Sequence, residues 1–372
     1  GDLIFGGGAG TITANSGVSL FANGYGGQGE TSGGDGQGGI ANIAAIGGTT
    51  VSVGSLLLIA DGGGGDAVTG GVALTNSVGG TGTGGFAGVT VRTGSAVTMG
   101  GATIQSNGQG GAGYSGGAGQ AGFDLINGGN GAAITASDGT IDITGVTVTL
   151  NANGQGGSSV ADAAGTIGDA GEGIGGDANI AGLTGGSALG SVTASSTEFF
   201  LNATGSGGFG GNAADGATGG FGGSATGGSI FLGAQAGLGR LDLGGPVTLS
   251  VGATAGSGGT GGGVASGPTQ GGAGGAGGDA TAGFAQVGFV SGPDTVDTQG
   301  RVQLAGVTVF ANADAGAGGT GGTSAEAGQG DGGAGGSATG GQLALLSRGS
   351  NATDPGLSIS GQVTFTANGT GG

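Results

Sequence analysis

One phrase recurs along this chain: a short run of alternating apolar residues, then Ala, then Asn or a substitute, then a Gly-rich tract. Its steps average about 49 residues, a period typical of solenoids and other arrays whose units pack only on their neighbours. The sequence therefore predicts one continuous array over residues 1–372, either a segment of a longer protein or a filament subunit. The phrase ends near residues 23, 61, 107, 153, 204, 253, 312 and 368.

Each repeat carries three short strand patterns. The first reads T-I-D-I-T-G at 140–145, a Gly turn leads into a second that reads V-T-L or V-T-V, and the third follows G-S-A-T-G-G, as at 229–232. Apolar residues alternate with Thr, Ser, Asp and Gln, which is typical of strands with one buried face. These patterns predict an all-β fold, a parallel β-solenoid with three short strands per coil and about eight coils, stacked at about 4.8 Å.

An Asn recurs just after the second strand pattern. In a stacked array these side chains would occupy equivalent corners, where each amide can hydrogen-bond to the repeat above or below it. We therefore expect a structural ladder, and we favour this role over ligand binding. Its members are Asn23, Asn107, Asn153, Asn312 and Asn368.

The Gly-rich tracts have a three-residue pattern of their own. Gly-Gly-X triplets run through 271–279 and 318–322, and polar bends such as 212–218 and 323–331 separate them. Three residues per turn is the repeat of polyproline II, so two such arms joined by a bend predict a hairpin of extended helices. Ordering each residue costs about 1–2 kcal/mol, whereas each hydrogen bond returns about 1 kcal/mol. The hairpins should therefore order only when stacked along one side of the solenoid; disordered Gly loops are the alternative.

The composition excludes several functions. The chain has 114 Gly and neither His, Cys nor Lys, so the usual zinc sites, thiol nucleophiles, Ser-His-Asp triads and Schiff bases are not available. The formal net charge of -18, with four Arg, argues against nucleic acid and anionic lipid as partners. No apolar run reaches the length of a membrane span. We expect no catalytic activity and no cofactor.

Calcium is the metal that the acidic, Gly-rich bends could bind. Asp66, Asp177 and Asp279 follow Gly-rich runs at what the sequence suggests is one repeat position, but none matches the full G-G-x-G-x-D loop of calcium-binding repeats. Calcium at one or two bends is thus one hypothesis. The alternative is that these acids are solvated and keep a long fibre soluble.

Ice binding and glycoside cleavage both require side chains that lie close together, and in this sequence those side chains are far apart. Ice binding needs a flat array of Thr, whereas T-x-T pairs occur at 147–149 and 364–366 and are missing from most repeats. A glycoside-cleaving β-helix needs acidic residues clustered on one face, and the acids here follow the bends. We expect neither activity.

The strand segments resemble a known class of surface protein. L-D-L-G-G-P-V-T-L at 241–249 and V-Q-L-A-G-V-T-V-F at 302–310 are similar to repeats of filamentous-haemagglutinin-like and autotransporter-type bacterial exoproteins. The long Gly-rich excursions instead resemble polyglycine-II proteins. The resemblance implies an extracellular β-helix at the bacterial cell surface that serves adhesion, biofilm or matrix building.

Two interpretations of function follow. The first is a structural rod or fibre that associates with copies of itself. The second is a binding module in which the Gly-rich bends hold a glycan or a cell-surface receptor, and exposed aromatic residues clustered at the bends would support it. The aromatic residues nearest to the bends are Tyr25, Tyr114, Phe209 and Phe221.

Overall fold

The computed structural model describes residues 2–5, 9–122, 131–183, 189–235, 239–265, 269–290, 300–347 and 356–372. Within these ranges the secondary structure is β-strand without helix. Strand pairings are parallel, apart from one antiparallel hairpin formed by Val68–Thr69 and Val72–Ala73. The prediction of an all-β fold of stacked parallel strands is confirmed, and the arrangement is consistent with a β-solenoid.

One sheet, which we call the short wall, is built from the third strand pattern. It contains eight parallel strands whose order in the sheet is their order in the chain. Each strand therefore pairs with the equivalent strand of the repeat before and after it. The strands are Asp2–Phe5, Ile40–Ala45, Phe86–Arg92, Ala132–Ser137, Asp177–Leu183, Ser229–Gln235, Phe284–Val290 and Gln342–Leu346.

A second sheet, the long wall, is built from the first and second strand patterns together. In some repeats the two patterns form one continuous strand, and in others a bend separates them, which gives 12 strands in the sheet. The strands are Thr11–Phe21, Thr50–Ile59, Ala96–Met99, Ala102–Gln105, Thr140–Ile143, Thr147–Asn151, Gly190–Ala194, Glu198–Asn202, Gly239–Ser250, Arg301–Phe310, Leu357–Ile359 and Val363–Thr366.

Two narrow sheets of two-residue strands flank the Gly-rich tracts. The outgoing ladder follows the long wall in each repeat, and the returning ladder precedes the next strand of the short wall. The outgoing ladder comprises Gly24–Tyr25, Gly62–Gly63, Gly108–Gln109, Gly154–Gln155, Gly205–Ser206, Ala253–Thr254, Ala313–Asp314 and Gly369–Thr370. The returning ladder comprises Gly36–Gln37, Gly82–Thr83, Gly119–Gln120, Gly173–Ile174, Ala225–Thr226, Ala280–Thr281 and Ala338–Thr339.

The core lies between the two walls. Alternate residues of each strand point inward, and the parallel register places each one above its equivalent in the preceding repeat. On the short wall, for example, Ile43, Val89 and Ile134 form one fully buried column. Phe199 is the bulkiest fully buried side chain of the long wall. The chain thus buries a continuous apolar column, and the Gly-rich tracts lie beside it.

Candidate functional site

The Gly-rich tract of each repeat forms two antiparallel arms joined by backbone hydrogen bonds. Between the sixth outgoing and returning arms, the N–H of Gly278 donates to the carbonyl of Gly256 at 2.9 Å. Equivalent bonds of 2.8 Å join Gly275 to Gly259 and Gly272 to Gly262. Donors and acceptors are thus three residues apart along both arms, as the triplet pattern predicts.

The arms of successive repeats are bonded to each other in the same way. The N–H of Gly316, in the next outgoing arm, donates to the carbonyl of Gly278. Such bonds form an unbroken series in which each Gly donates to the one before it, alternating between outgoing and returning arms. We call these bonded arms the glycine lattice. The series runs through Gly27, Gly34, Gly65, Gly80, Gly111, Gly117, Gly157, Gly171, Gly208, Gly223, Gly256, Gly278, Gly316, Gly336 and Gly372.

The lattice is too closely packed for side chains at its buried positions. A Cβ atom added at Gly259 would lie 1.8 Å from the carbonyl oxygen of Gly211. The X residues of the triplets, such as Thr260 and Thr320, are exposed instead. The Gly-Gly-X pattern therefore places two glycines in the lattice and turns each X side chain towards solvent.

The predicted Asn residues lie at the corner between the long wall and the outgoing ladder. In the first four of these residues, the amide oxygen accepts the backbone N–H of the equivalent residue in the next repeat. Thus Asn107 Oδ1 accepts from Asn153 N at 2.9 Å, and Asn153 Oδ1 accepts from Thr204 N at 3.0 Å. The other contacts of this type are Asp61 N to Asn23 Oδ1 (3.1 Å), Asn107 N to Asp61 Oδ1 (2.8 Å) and Asn368 N to Asn312 Oδ1 (3.0 Å).

The series of corner contacts has one gap. Ala253 pairs in register with Ala313, so the residue before it, Gly252, is the equivalent of Asn312. Gly252 has no side chain to accept a hydrogen bond. The contacts therefore run from Asn23 to Thr204 and resume at Asn312, where the phrase V-T-L-S-V-G-A gives way to V-T-V-F-A-N-A.

Asp61 occupies a corner position that Asn fills elsewhere. Burial raises the pKa of its carboxyl group, against the opposing effect of hydrogen bonds from Asn107 N (2.8 Å) and Gln105 Nε2 (2.6 Å). A carboxyl group whose pKa is higher in the folded state binds its proton more tightly there than in the unfolded chain. Its contribution to the free energy of unfolding therefore falls as the pH rises through the range just above the ordinary aspartate pKa.

We expect Asp61→Asn to stabilise the protein at neutral pH. The amide keeps the acceptor for Asn107 N and removes a charge that burial disfavours. Its NH2 group takes the place of the oxygen that accepts from Gln105, and the Gln105 carboxamide can turn to present its oxygen as the acceptor. Denaturant unfolding at a series of pH values should show the advantage growing from acidic pH and levelling off before neutrality. Asp331→Asn, at an exposed acid, removes the same charge and is the control. A pH-independent gain, or an equal gain in the control, would contradict this explanation.

The calcium candidates do not share a position, and that expectation was wrong. Asp66 lies on an outgoing arm, where its carboxylate accepts the N–H of Ala112 at 2.8 Å. Asp177 is buried at the start of a short-wall strand, and Asp279 lies on a returning arm, where it accepts the N–H and hydroxyl of Ser337. Among the described residues, acidic side chains form no group of three that could hold a metal ion.

Sequence reasoning missed Asp162, in the bend of the fourth Gly-rich tract. Its buried carboxylate accepts the hydroxyl of Thr75, 87 residues away, at 2.5 Å and that of Thr166 at 2.8 Å. These hydroxyls, Thr75 first, lower the pKa of Asp162. The stability that it contributes is therefore present above the unfolded pKa and is lost as pH falls through the folded one. No local sequence pattern predicts a contact between residues so far apart in the chain.

The aromatic residues do not form one cluster. Tyr25 and Phe209 belong to outgoing strands and arms four repeats apart, and Phe221 lies on a returning arm. Their exposed fractions are 72%, 64% and 47%. The Thr pairs likewise do not form a flat array, because Thr147 pairs with Glu198 and Thr366 pairs with Phe310.

Comparisons with protein-family models, with curated proteins and with solved structures found no match. In the part of the chain that the structure describes, there is no apolar helix of membrane-spanning length.

Proposed function

We propose that this chain is an extracellular structural repeat protein that builds a rigid rod or fibre for adhesion, biofilm or matrix. In this proposal each repeat is one coil with three short strands, about eight coils stack along one axis, and the Gly-rich arms are polyproline-II-type hairpins along one side. The observation that carries the proposal is the glycine lattice, because its hydrogen bonds join every repeat to the next.

The distribution of polar groups supports a structural role. Polar side chains in the Asn corner and in the bend at Asp162 accept hydrogen bonds from other repeats. A stack of this kind resists bending because each backbone group is held from both sides. The net charge of -18 would keep such fibres apart in solution.

Location at the bacterial surface and self-association are further parts of the proposal. A chain without Cys that is stabilised by stacking does not need disulfides in an oxidising environment. Copies of the same chain offer strands and glycine arms of matching period, so stacking between copies would extend both walls. A cell surface or a glycan would be the second partner.

The fibre is tested by imaging the purified chain at high concentration. We expect filaments longer than one molecule, with an axial repeat of about 4.8 Å in cryo-electron microscopy or fibre diffraction. A chain that stays monomeric at millimolar concentration would contradict self-association. A circular dichroism spectrum dominated by α-helix would contradict the fold as well.

We also expect the native chain to resist elastase, a protease that cleaves after small residues and therefore meets candidate bonds throughout this sequence. Cleavage requires local opening, and the bonded arms and walls make opening costly. Digestion of the native chain should be at least about tenfold slower than that of the urea-unfolded chain. Equal rates would mean that the Gly-rich arms are open most of the time.

A further inference from the structure

A polar groove crosses the outer face of the long wall, outside the glycine lattice and the Asn corner. One side is a register column of polar side chains, and the other is a row of small residues where the wall bends. We call this feature the wall groove; its volume is about 530 Å³. The column is Asp142, Thr193, Asp242, Gln303 and Ser358, and the small residues are Ser195, Gly244, Ala305 and Ser360.

This column could not be recognised in the sequence, because its members come from five successive repeats. The expectation that the acids merely follow the bends was incomplete, since Asp142 and Asp242 lie on strands of one face, two repeats apart. Stacked parallel strands are about 4.8 Å apart, so the column presents one polar side chain at each such step.

The column offers hydrogen-bonding groups of both kinds. Thr193 Oγ1 donates to Asp142 Oδ1 at 3.1 Å, and Asp242 forms an ion pair with Arg301. The half-buried carboxamide of Gln303 makes no side-chain hydrogen bond to any described residue, so both its donor and its acceptor are available to a ligand. The small residues opposite leave the groove open, and no aromatic residue lines it. Leu243 and Leu304 also line the groove, but their side chains are buried in the core.

We propose that the wall groove binds an extended, neutral, β-1,4-linked polysaccharide along the coil axis. Such a chain carries hydroxyls at every sugar, and one sugar is about as long as the step between strands, so successive sugars would meet successive members of the column. Anionic polysaccharides are disfavoured by Asp142 and by the net charge of -18, whereas the charge of Asp242 is balanced by Arg301. This proposal does not depend on fibre formation.

The test measures binding by isothermal titration calorimetry to two neutral extended probes, cellohexaose and chitohexaose. Maltohexaose is the curved neutral comparison, and hexagalacturonate is the anionic one. We expect binding to at least one neutral extended probe and about tenfold weaker binding in Gln303→Ala, which corresponds to the loss of about 1.4 kcal/mol.

Thr308→Ala is the matched control, because Thr308 lies on the outer face of the same strand but outside the groove. Its affinity should stay within about twofold of the parent. Failure of both neutral extended probes to bind, tighter binding of maltohexaose or hexagalacturonate, or an equal loss in Thr308→Ala would each overturn the proposal. Circular dichroism of both variants checks that the fold is retained.

Discussion

Gly274→Ala is expected to disrupt the glycine lattice, whereas Gly332→Ala, at the equivalent position of the next repeat, is expected to be nearly neutral. A Cβ atom at Gly274 would lie 2.0 Å from the carbonyl oxygen of Gly319. At Gly332 the nearest atom, the same oxygen, is 3.7 Å away. Because a backbone carbonyl in a bonded arm cannot move aside, the first substitution must break hydrogen bonds on both sides of its arm.

The two substitutions should differ in sign as well as in size. Overpacking that displaces backbone costs about 3 kcal/mol of unfolding free energy. Replacing Gly by Ala where the native backbone tolerates it stabilises by about 0.4–1 kcal/mol, because the unfolded chain loses conformational freedom. Gly332→Ala should therefore be neutral or slightly stabilising.

Hydrogen exchange is the appropriate measurement, because unfolding of a repeat array need not be two-state. In Gly274→Ala the amides of Gly259, Gly275 and Gly319 should lose protection first, since they belong to the bonded arms around the substitution. In Gly332→Ala they should keep it. Equal protection in the two variants would mean that the arms do not pack as closely as the structure shows.

The sequence predicts well whatever lies at a constant distance from a strand. The apolar alternation places the two walls, the Gly-Gly-X triplets match the three-residue spacing of the lattice bonds, and the Asn corner follows the second strand at a fixed offset. These features are local, and each is repeated often enough to be recognised.

Features that depend on alignment across the Gly-rich tracts are less predictable. The tracts differ in length, so counting residues from Gly runs placed Asp66, Asp177 and Asp279 at one position, although the strand register separates them. The contact of Asp162 with Thr75 skips a whole repeat. The column of the wall groove becomes visible only once the register of five repeats is known.

Phe199→Ala is expected to cost about 3–5 kcal/mol of unfolding free energy, the range for removing a fully buried Phe. Phe199 is fully buried between Val148 and Val247 in register, and the neighbouring repeats leave little freedom to fill the cavity. The adjacent Phe200 is on the opposite face of the same strand and is 37% exposed. Phe200→Ala therefore leaves no enclosed cavity and should cost about 1 kcal/mol.

Comparison of the Phe199→Ala and Phe200→Ala variants tests the register of the long wall. A slip of one residue would exchange the faces on which the two side chains lie. Urea unfolding followed by circular dichroism gives the midpoint for each variant, and an unchanged slope allows the midpoints to be compared. A larger loss of unfolding free energy in Phe200→Ala than in Phe199→Ala would mean that Phe200, and not Phe199, lies on the buried face of this strand. The measurement therefore decides which face of the second strand pattern packs in the core.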